Sequence, residues 1–550
     1  MFCRQSDGEF SDEDDQSWKV RRAASRTLAA IIFTRGELLS DLLKTTAPIL
    51  VSRFTEREEN VRLENFNTFI TLLKRVESVH KTHSGDAMET SDGSFPLLKE
   101  LVPKVAKSIT KALKDKSQKT KLMGFTILKD LVIVLGGGLE NNISTFGQPV
   151  ATTLSHMSSN SPLKIECLSF LASLFRYHQA PAFASILKTI VPSIVKATTD
   201  KYYKVASEAL HTCSELVQAL RPIAPQVSTP TPDFVVVISQ VYTADVAILG
   251  LNEVDQEVKE KALYCLGHII GHAADVLPAE TGKGLTLLLE KISNEVTRLV
   301  GVKTLNFVAR SPLQVNLGAI LGNAVTELST FLRKTNRSLK LSSIICLNTI
   351  VSSYPFLFLL HPLVDSLTLN HLSLLLPPDR RGKEVPEKQL AAVVVEVKAQ
   401  INDSDLQILP LAFNLLTQIL QVNKGTLSVI KTEAFPPIFV IIKSPLLQGT
   451  SLRSLLDFLG TAVAIDGALF ASLLTSLLEP LTSADQPLSL SSSKQPFASI
   501  AQSVAVICHA SPANISATAQ KFIALIKKAN ATDSEKYLGL LTLGEIGKLK

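Results

Sequence analysis

The chain has 550 residues, 46% hydrophobic and 19% charged, with one Trp and seven Tyr. Lys and Arg number 56 against 50 Asp and Glu, a balance of +6. That is too small and too dispersed to point to nucleic acid. Leu and Ala are abundant, which supplies a long apolar core and suits helix better than sheet. A chain of this length normally divides into several domains, but a repeat array escapes that rule because each unit contacts only its neighbours.

Residues 1–16 hold Asp7, Glu9, Asp12, Glu13, Asp14 and Asp15 and predict a solvated, disordered acidic tail. They are not basic and then apolar, so they form no signal peptide. Helical patterning begins at Trp18, with Val20-Arg21 followed by Ala24 and Leu28 on the apolar face. Leu38 to Phe54 predicts a partner helix that Pro48 kinks. Val61-Arg62 with Phe69 restates the first pattern. His80 to Phe95 is polar and predicts an exposed loop, with Gly85, Ser91, Asp92 and Gly93. Leu97–Leu113 and Thr120–Leu135 make the next pair, which Gly136-Gly137-Gly138 ends. Leu163-Lys164 with Leu168 and Leu171 follows, and then Val205 with Ala209 and Leu210. Arg221 to Asp233 holds Pro222, Pro225, Pro230 and Pro232 and predicts a second loop.

The clearest version of the pattern runs from Val254 to Ile270. Apolar residues at 258, 262, 263, 266, 269 and 270 line one broad helical face, and Asp255 stands where a carboxylate caps the first turn. Later versions are Thr297-Arg298 with Val302 and Leu305, and Leu339-Lys340 with Ile344 and Leu347. Residues 353–405 predict an irregular insertion, with Pro377-Pro378 and Pro386 in it and a short helix over Ala391–Val397. Its most apolar run, Tyr354 to Leu376, contains Asp365 between His361 and His371, and an unpaired carboxylate is costly in lipid; no membrane span is expected. The pattern resumes at Ile408 with Ala412 and Leu416, then Leu447 with Leu452 and Leu455, then Glu535-Lys536 with Leu540 and Leu543.

The unexpanded spacing is about 39 to 43 residues, the period of HEAT or armadillo helix pairs. The expectation is an all-α HEAT-repeat α-solenoid, a superhelical stack of roughly twelve antiparallel helix pairs, covering residues 17–352 and 406–550. No polar capping repeat closes it, so both ends are expected to expose apolar helix faces and to promote self-association.

The residues that could carry chemistry lack the company it needs. The six cysteines, Cys3, Cys167, Cys213, Cys265, Cys346 and Cys508, form no CxxC pair and read as buried free thiols of a reducing compartment. His268 and His272 have the zinc-protease spacing, but the place of the catalytic Glu is taken by Ile269. Gly136-Gly137-Gly138 lacks the following Lys-Ser/Thr of a phosphate loop, and Gly282-Lys283-Gly284 lacks its leading glycine. No enzyme, metal, cofactor or small-molecule substrate is expected. One basic residue recurs at the start of the second helices: Arg21, Arg62, Lys164, Lys259, Arg298, Lys340 and Lys536. Two readings are open. Each pairs with a turn carboxylate of its own or the next repeat, worth about 0–1 kcal/mol, or the row lines a partner-binding surface.

Six stretches go beyond a general HEAT pattern: Asp15–Ala24 (DQSWKVRRAA), Arg53–Val61 (RFTEREENV), Asp255–Ala262 (DQEVKEKA), Asn294–Leu299 (NEVTRL), Phe331–Lys334 (FLRK) and Ser444–Gly449 (SPLLQG). Together they resemble, in order from Asp12 to Gly547, the middle of the cullin-associated, neddylation-dissociated proteins. The 353–405 region departs from that family's regular repeat. The resemblance implies a cytoplasmic and nuclear HEAT scaffold. It would bind cullin–RING scaffold proteins lacking their ubiquitin-like modifier and promote exchange of substrate receptors. It also implies that this stretch, without the family's two clamping ends, binds weakly and does not accelerate adaptor release. It identifies no individual contact residue. The other expectation is a HEAT scaffold for transport or phosphatase cargo.

Overall fold

The computed structural model describes residues 16–83, 93–224, 226–251, 255–352, 385–482, 490 and 493–548, with side chains left aside at 81–83 and 480–482. The acidic tail, the core of the 80–95 loop and the Tyr354–Leu376 run lie outside these residues.

Several helices begin where the sequence supplies a cap. Ser117 Oγ accepts from Thr120 N at 3.2 Å, Asn160 Oδ1 from Leu163 N at 3.0 Å and Asn336 Oδ1 from Leu339 N at 3.0 Å. Each satisfies one of the orphan donors of a first turn. Asp255 does the same for Glu257 N at 2.9 Å. Pro162, Pro232 and Pro278 sit in first turns, where a missing N–H costs little. The stop after Leu135 is a left-handed turn: Gly136 has φ 60°, Gly137 N donates to Val132 O at 3.0 Å and Gly136 N to Ile133 O at 3.3 Å. Ahead of Pro48 the helix widens into a π-turn at Leu42–Thr46, because the ring removes a donor and crowds the Lys44 carbonyl.

No strand occurs among the described residues, and the helices pair as first and second members of HEAT repeats. The chain forms two compact units, Met1–Ala273 and Ala274–Lys550. In each, the second helices stack on one another as a ladder. In unit 1 the ladder helices are Ser17–Thr34, Glu59–His83, Gln118–Leu135, Ser161–Tyr177, Tyr203–Leu220 and Gln256–Ala273. In unit 2 they are Arg298–Ala309, Arg337–Val351, Ile408–Val422, Gly449–Ile465, Gln495–Ala510 and Asp533–Lys548.

The core lies between the ladder and the first helices. The Gln256–Ala273 helix buries Val258, Ala262, Leu263, Leu266, Ile269 and Ile270, the face its spacing predicts. Phenylalanines fill the joints. Phe54 meets Phe66 and Phe69 at centroid distances of 4.7 and 5.4 Å, and Phe125 meets Phe170 at 5.9 Å. Full burial of such a side chain contributes roughly 1.5–3 kcal/mol. At Gly301 an added Cβ would stand 2.8 Å from Ile292 Cγ1, so glycine lets the Pro278–Ser293 and Arg298–Ala309 helices approach. Polar rungs cross the joints. Thr212 Oγ1 donates to Leu168 O at 3.1 Å, Asn348 Nδ2 to Leu411 O at 3.0 Å and Gln495 Nε2 to Leu447 O at 2.8 Å. Buried hydroxyls and amides thereby keep partners.

Four expectations need correction. The Glu59–His83 helix runs into the stretch expected as a loop, and His80 stacks on Phe95 at 5.0 Å. The array re-enters at Glu387 and not at 406. Glu387–Val397 is a first helix burying Leu390, Val393, Val394 and Val397. Ala24 is exposed and Leu28 half-buried, while Ser25 and Ile32 take the core. Leu540 is 62% exposed and Leu543 half-buried, while Leu538, Thr542 and Ile546 are buried. The last two share a cause: among the described residues each of these helices has a ladder neighbour on one side only.

Two first helices, Ala180–Ala197 and Pro232–Leu249, are long and apolar enough to cross a membrane by composition. Each buries one side in unit 1: Phe183, Ile186 and Ile190 in the former, Ile238, Val241 and Ile248 in the latter.

Candidate partner-binding surface

The recurring cations stand at the turn end of the ladder. Arg21 Nη2 lies 3.6 Å from Glu56 Oε1, Arg62 Nη2 lies 3.6 Å from Asp115 Oδ2, and Lys164 Nζ lies 2.8 Å from Asp200 Oδ2. In each case the carboxylate belongs to the turn of the next repeat. Arg62 is the most committed. It is buried, and its guanidinium donates to Thr120 Oγ1 at 3.0 and 3.1 Å and to the Glu56 carbonyl at 2.7 Å. Arg298 donates to the Ser293 carbonyl at 2.9 Å and lies over the Phe331 ring at 4.9 Å. Lys259 is half-buried on the Gln256–Ala273 helix. Lys340 and Lys536 are half-buried and make no ion pair among the described residues. The carboxylate that would correspond to Lys340, Asp405, is taken one turn earlier by Arg337 at 2.5 Å. The cations therefore recur one per repeat and are not gathered into a patch.

A second set of charges, which the sequence reading passed over, occupies the solvent-reaching side of the ladder in unit 1. Lys129 Nζ meets Glu166 Oε1 at 2.6 Å across one joint. Arg176 pairs with Glu215 across the next. Asp130 lies in the field of Lys129, Lys74, Glu166 and Glu77. Glu208 lies in that of Lys261, Lys129, Glu166 and Glu257. Five successive ladder helices thus contribute to one strip.

Its electrostatics are uneven. Burial pushes the Asp130 carboxyl up, against the pull of Lys129 and Lys74. Burial likewise raises Glu208, against Lys261 and Lys129. Neither carboxylate has a hydrogen-bonded cation among the described residues. Histidines close the strip. Burial lowers His211, and Lys261 lowers it further. Burial, with His272 beside it, pushes His268 down to about 3. The Tyr264 ring lies 4.3 Å from His268, whose ring is 5.6 Å from that of His272, and His272 Nδ1 lies 2.9 Å from the Arg221 carbonyl. Among the described residues no group of three or more His, Cys, Asp or Glu is placed to hold a metal. The arrangement pairs no nucleophile with a base. It can recognise: Asp130 and Glu208 are partly desolvated acceptors that a cationic side chain would relieve. The sequence signal for Asp130 is that Lys129-Asp130 stand between buried Leu128 and Leu131, charge where the helical period expects only a boundary.

The fold is shared with other helical-repeat proteins. Importin beta superposes with a TM-score of 0.56 at 12% identity, covering 96% of this chain and 61% of its own. The karyopherin Kap121p, solved bound to the SUMO protease Ulp1p, gives 0.56 at 13% identity over 97% of this chain and 52% of its own. At such identities the likeness concerns the fold alone. In sequence, a family described as "CAND1-like, TPR repeats" matches residues 137–266. Cullin-associated NEDD8-dissociated protein 1 of Arabidopsis thaliana is 36% identical over 543 residues, which is 98% of this chain and 42% of that protein. The Dictyostelium discoideum protein of the same name is 37% identical over 98% of this chain and 40% of its own length. Cullin-associated NEDD8-dissociated protein 2 of Mus musculus is 32% identical over 98% and 42%. The chain is thus a relative of the cullin-associated NEDD8-dissociated proteins, matching with nearly all of its own length about two fifths of theirs.

Proposed function

We propose that this chain is a protein-docking scaffold for cullin–RING ubiquitin ligase cores whose cullin lacks its modifier, and that it works by binding and not by catalysis. The observation that carries the reading is the match of 98% of the chain to proteins named for cullin association. The strip around Asp130 and Glu208 supplies a surface suited to Lys or Arg side chains of such a partner. Receptor exchange is proposed as the work of a longer protein. A clamp gains from two ends that raise each other's effective concentration, and this chain spans 42% of its Arabidopsis relative. It alone binds weakly and leaves the rate of adaptor release unchanged. Nucleic acid, membrane and small-molecule substrates have no part in the proposal, and the expected location is cytoplasm and nucleus.

The test is a titration of fluorescent cullin–RING core, bare and modifier-conjugated, with the 550-residue chain and with an Asp130→Lys, Glu208→Lys double variant. Binding confined to the bare core is expected, weakened about tenfold or more in the variant, or about 1.4 kcal/mol. Equal capture of both cores would overturn the reading. So would preferential capture of transport cargo in a parallel pull-down. A chain that speeds receptor release by itself would sink the two-ended clamp.

A further inference from the structure

We propose that the turn edge of unit 1 between Lys114 and Lys204 docks an extended segment of a partner protein, acidic at both ends and apolar in the middle. Three successive turns between first and second helices make this edge, at residues 113–119, 156–160 and 199–204. Side chains stitch them together. The Gln118 amide donates to the Ser158 carbonyl, Asn160 N donates to Gln118 Oε1 at 2.9 Å, and Lys164 Nζ lies 2.8 Å from Asp200 Oδ2. Repeats stand on both sides of the three turns, the Glu59–His83 helix before them and the Gln256–Ala273 helix after them. The edge is a continuous row inside the array.

Its charge is one-sided. The outer two turns hold five lysines, Lys114, Lys116, Lys119, Lys201 and Lys204, all exposed and none in an ion pair among the described residues. The two carboxylates there, Asp115 and Asp200, are held by Arg62 and Lys164. They also accept from the backbone N–H groups of Ser117 at 2.7 Å and Tyr202 at 3.0 Å, so neither turns outward onto a lysine. Glu58 and Glu59 in the turn before, and Asp255 and Glu257 in the turn after, end the basic run. The middle turn, His156 to Asn160, has no Lys, Arg, Asp or Glu. It offers Met157, wholly exposed, and the next turn adds Tyr202. A methionine side chain adapts to whatever apolar group it meets. A nucleic-acid strand carries its charge evenly and would leave Met157 without a counterpart. A peptide can set carboxylates at both ends and an apolar residue between. The two lysine turns are two ladder joints of about 8–10 Å apart, or roughly 20 Å. About six extended residues span that distance.

Fluorescence anisotropy with the 550-residue chain and a labelled synthetic peptide tests this. The peptide carries Glu-Glu-Asp at each end and Leu-Phe in the middle of a spacer of about six residues. A second peptide has the same residues with the acidic ones gathered in the middle. The first is expected to bind about tenfold or more tighter than the second, and to weaken as salt rises. Lys116→Glu with Lys201→Glu should weaken the first peptide about tenfold or more. Lys119→Glu with Lys204→Glu repeats the test in the first turns of two helices, where a carboxylate suits the macrodipole. All four positions are exposed, so the fold is kept, as circular dichroism melts will check. Met157→Ser should weaken the first peptide and leave the second unchanged. Equal binding of the two peptides would overturn the proposal, since it would mark a diffuse cationic surface. So would a first peptide held undiminished by both lysine variants or by Met157→Ser. An oligodeoxythymidylate that binds more tightly than the first peptide, and loses its grip in the lysine variants, would assign the edge to nucleic acid instead.

Discussion

The Ser25 hydroxyl donates to Asn65 Oδ1 at 2.6 Å, binding two ladder helices through residues 40 positions apart. The same amide donates to the Arg53 carbonyl at 3.3 Å, so it holds the turn as well as the joint. Both side chains are buried, which makes an orphaned partner costly. Asn65→Leu should therefore destabilise the chain by about 1–3 kcal/mol in denaturant unfolding. Adding Ser25→Ala should restore part of that, because the stranded hydroxyl goes with it. Equal stability of the single and double variants would mean that the joint does not depend on the pair.

Leu266 is fully buried on the Gln256–Ala273 helix. Leu266→Ala should cost about 2–5 kcal/mol, whereas Ile49→Ala, at a 60% exposed position, should stay within about 0.5 kcal/mol. Thermal melts of the two variants side by side check the face assignment, and an unchanged transition for Leu266→Ala would falsify it.

Arg62 and Lys340 occupy corresponding places in sequence and different ones in physics. Removing the Arg62 guanidinium strands Thr120 and the Glu56 carbonyl. Arg62→Met should cost about 1.5–3 kcal/mol, and Lys340→Met less than about 0.5 kcal/mol. Similar losses in both would show that the row of cations acts alike in every repeat.

Four histidines of unit 1 have lowered pKa values with burial as the leading cause: His178, His211, His268 and His272. The unfolded chain takes up these protons near 6.5, the folded chain only below it, with His268 at about 3. The stability held by the neutral rings is complete above pH 6.5 and is lost as the pH falls towards the folded values. Melts between pH 7.5 and 4.5 should steepen by up to about 1.4 kcal/mol per pH unit for each ring involved, and His268→Gln should flatten the slope. Asp245 has the opposite sign. Burial raises its carboxyl well above 3.8, so its contribution is complete below that pH and is lost as the pH rises. Asp245→Asn should therefore stabilise the chain at neutral pH, and a destabilised variant would place a charged partner beside it.

The repeat, its period and its core face were legible because apolar spacing alone determines them, as at Val258, Ala262 and Leu266. What failed was what depends on neighbours. Leu540 and Ala24 carry the same helical spacing as buried residues elsewhere, and what sets them apart is that no second ladder helix adjoins theirs among the described residues. The helix over Ala391–Val397 was legible, but its start at Glu387 and its place in the array were hidden because its β-branched run follows a proline-rich stretch, where periodicity has little length to work with. Asp130 left only a faint signal and Glu208 none, for another reason. Each is an ordinary charged helical residue, and both its burial and most of the charges acting on it come from the folded ladder, as Lys74 and Glu166 act on Asp130 and Lys261 and Glu166 on Glu208.

The ladder joints differ in how freely their parts could be exchanged. At some, side chain answers side chain: Ser25 with Asn65, Arg62 with Thr120, Lys129 with Glu166, Arg176 with Glu215, Thr349 with Asn306. Others add a backbone carbonyl, as Thr212 does with Leu168, Asn348 with Leu411, Ser451 with Leu406 and Gln495 with Leu447. A carbonyl is present whatever residue carries it, so such a contact accepts a change on one side alone. A side-chain pair is a lock cut for its own key. A repeat held through a carbonyl can be replaced singly, while one held through a side-chain pair must be moved with the neighbour that reads it.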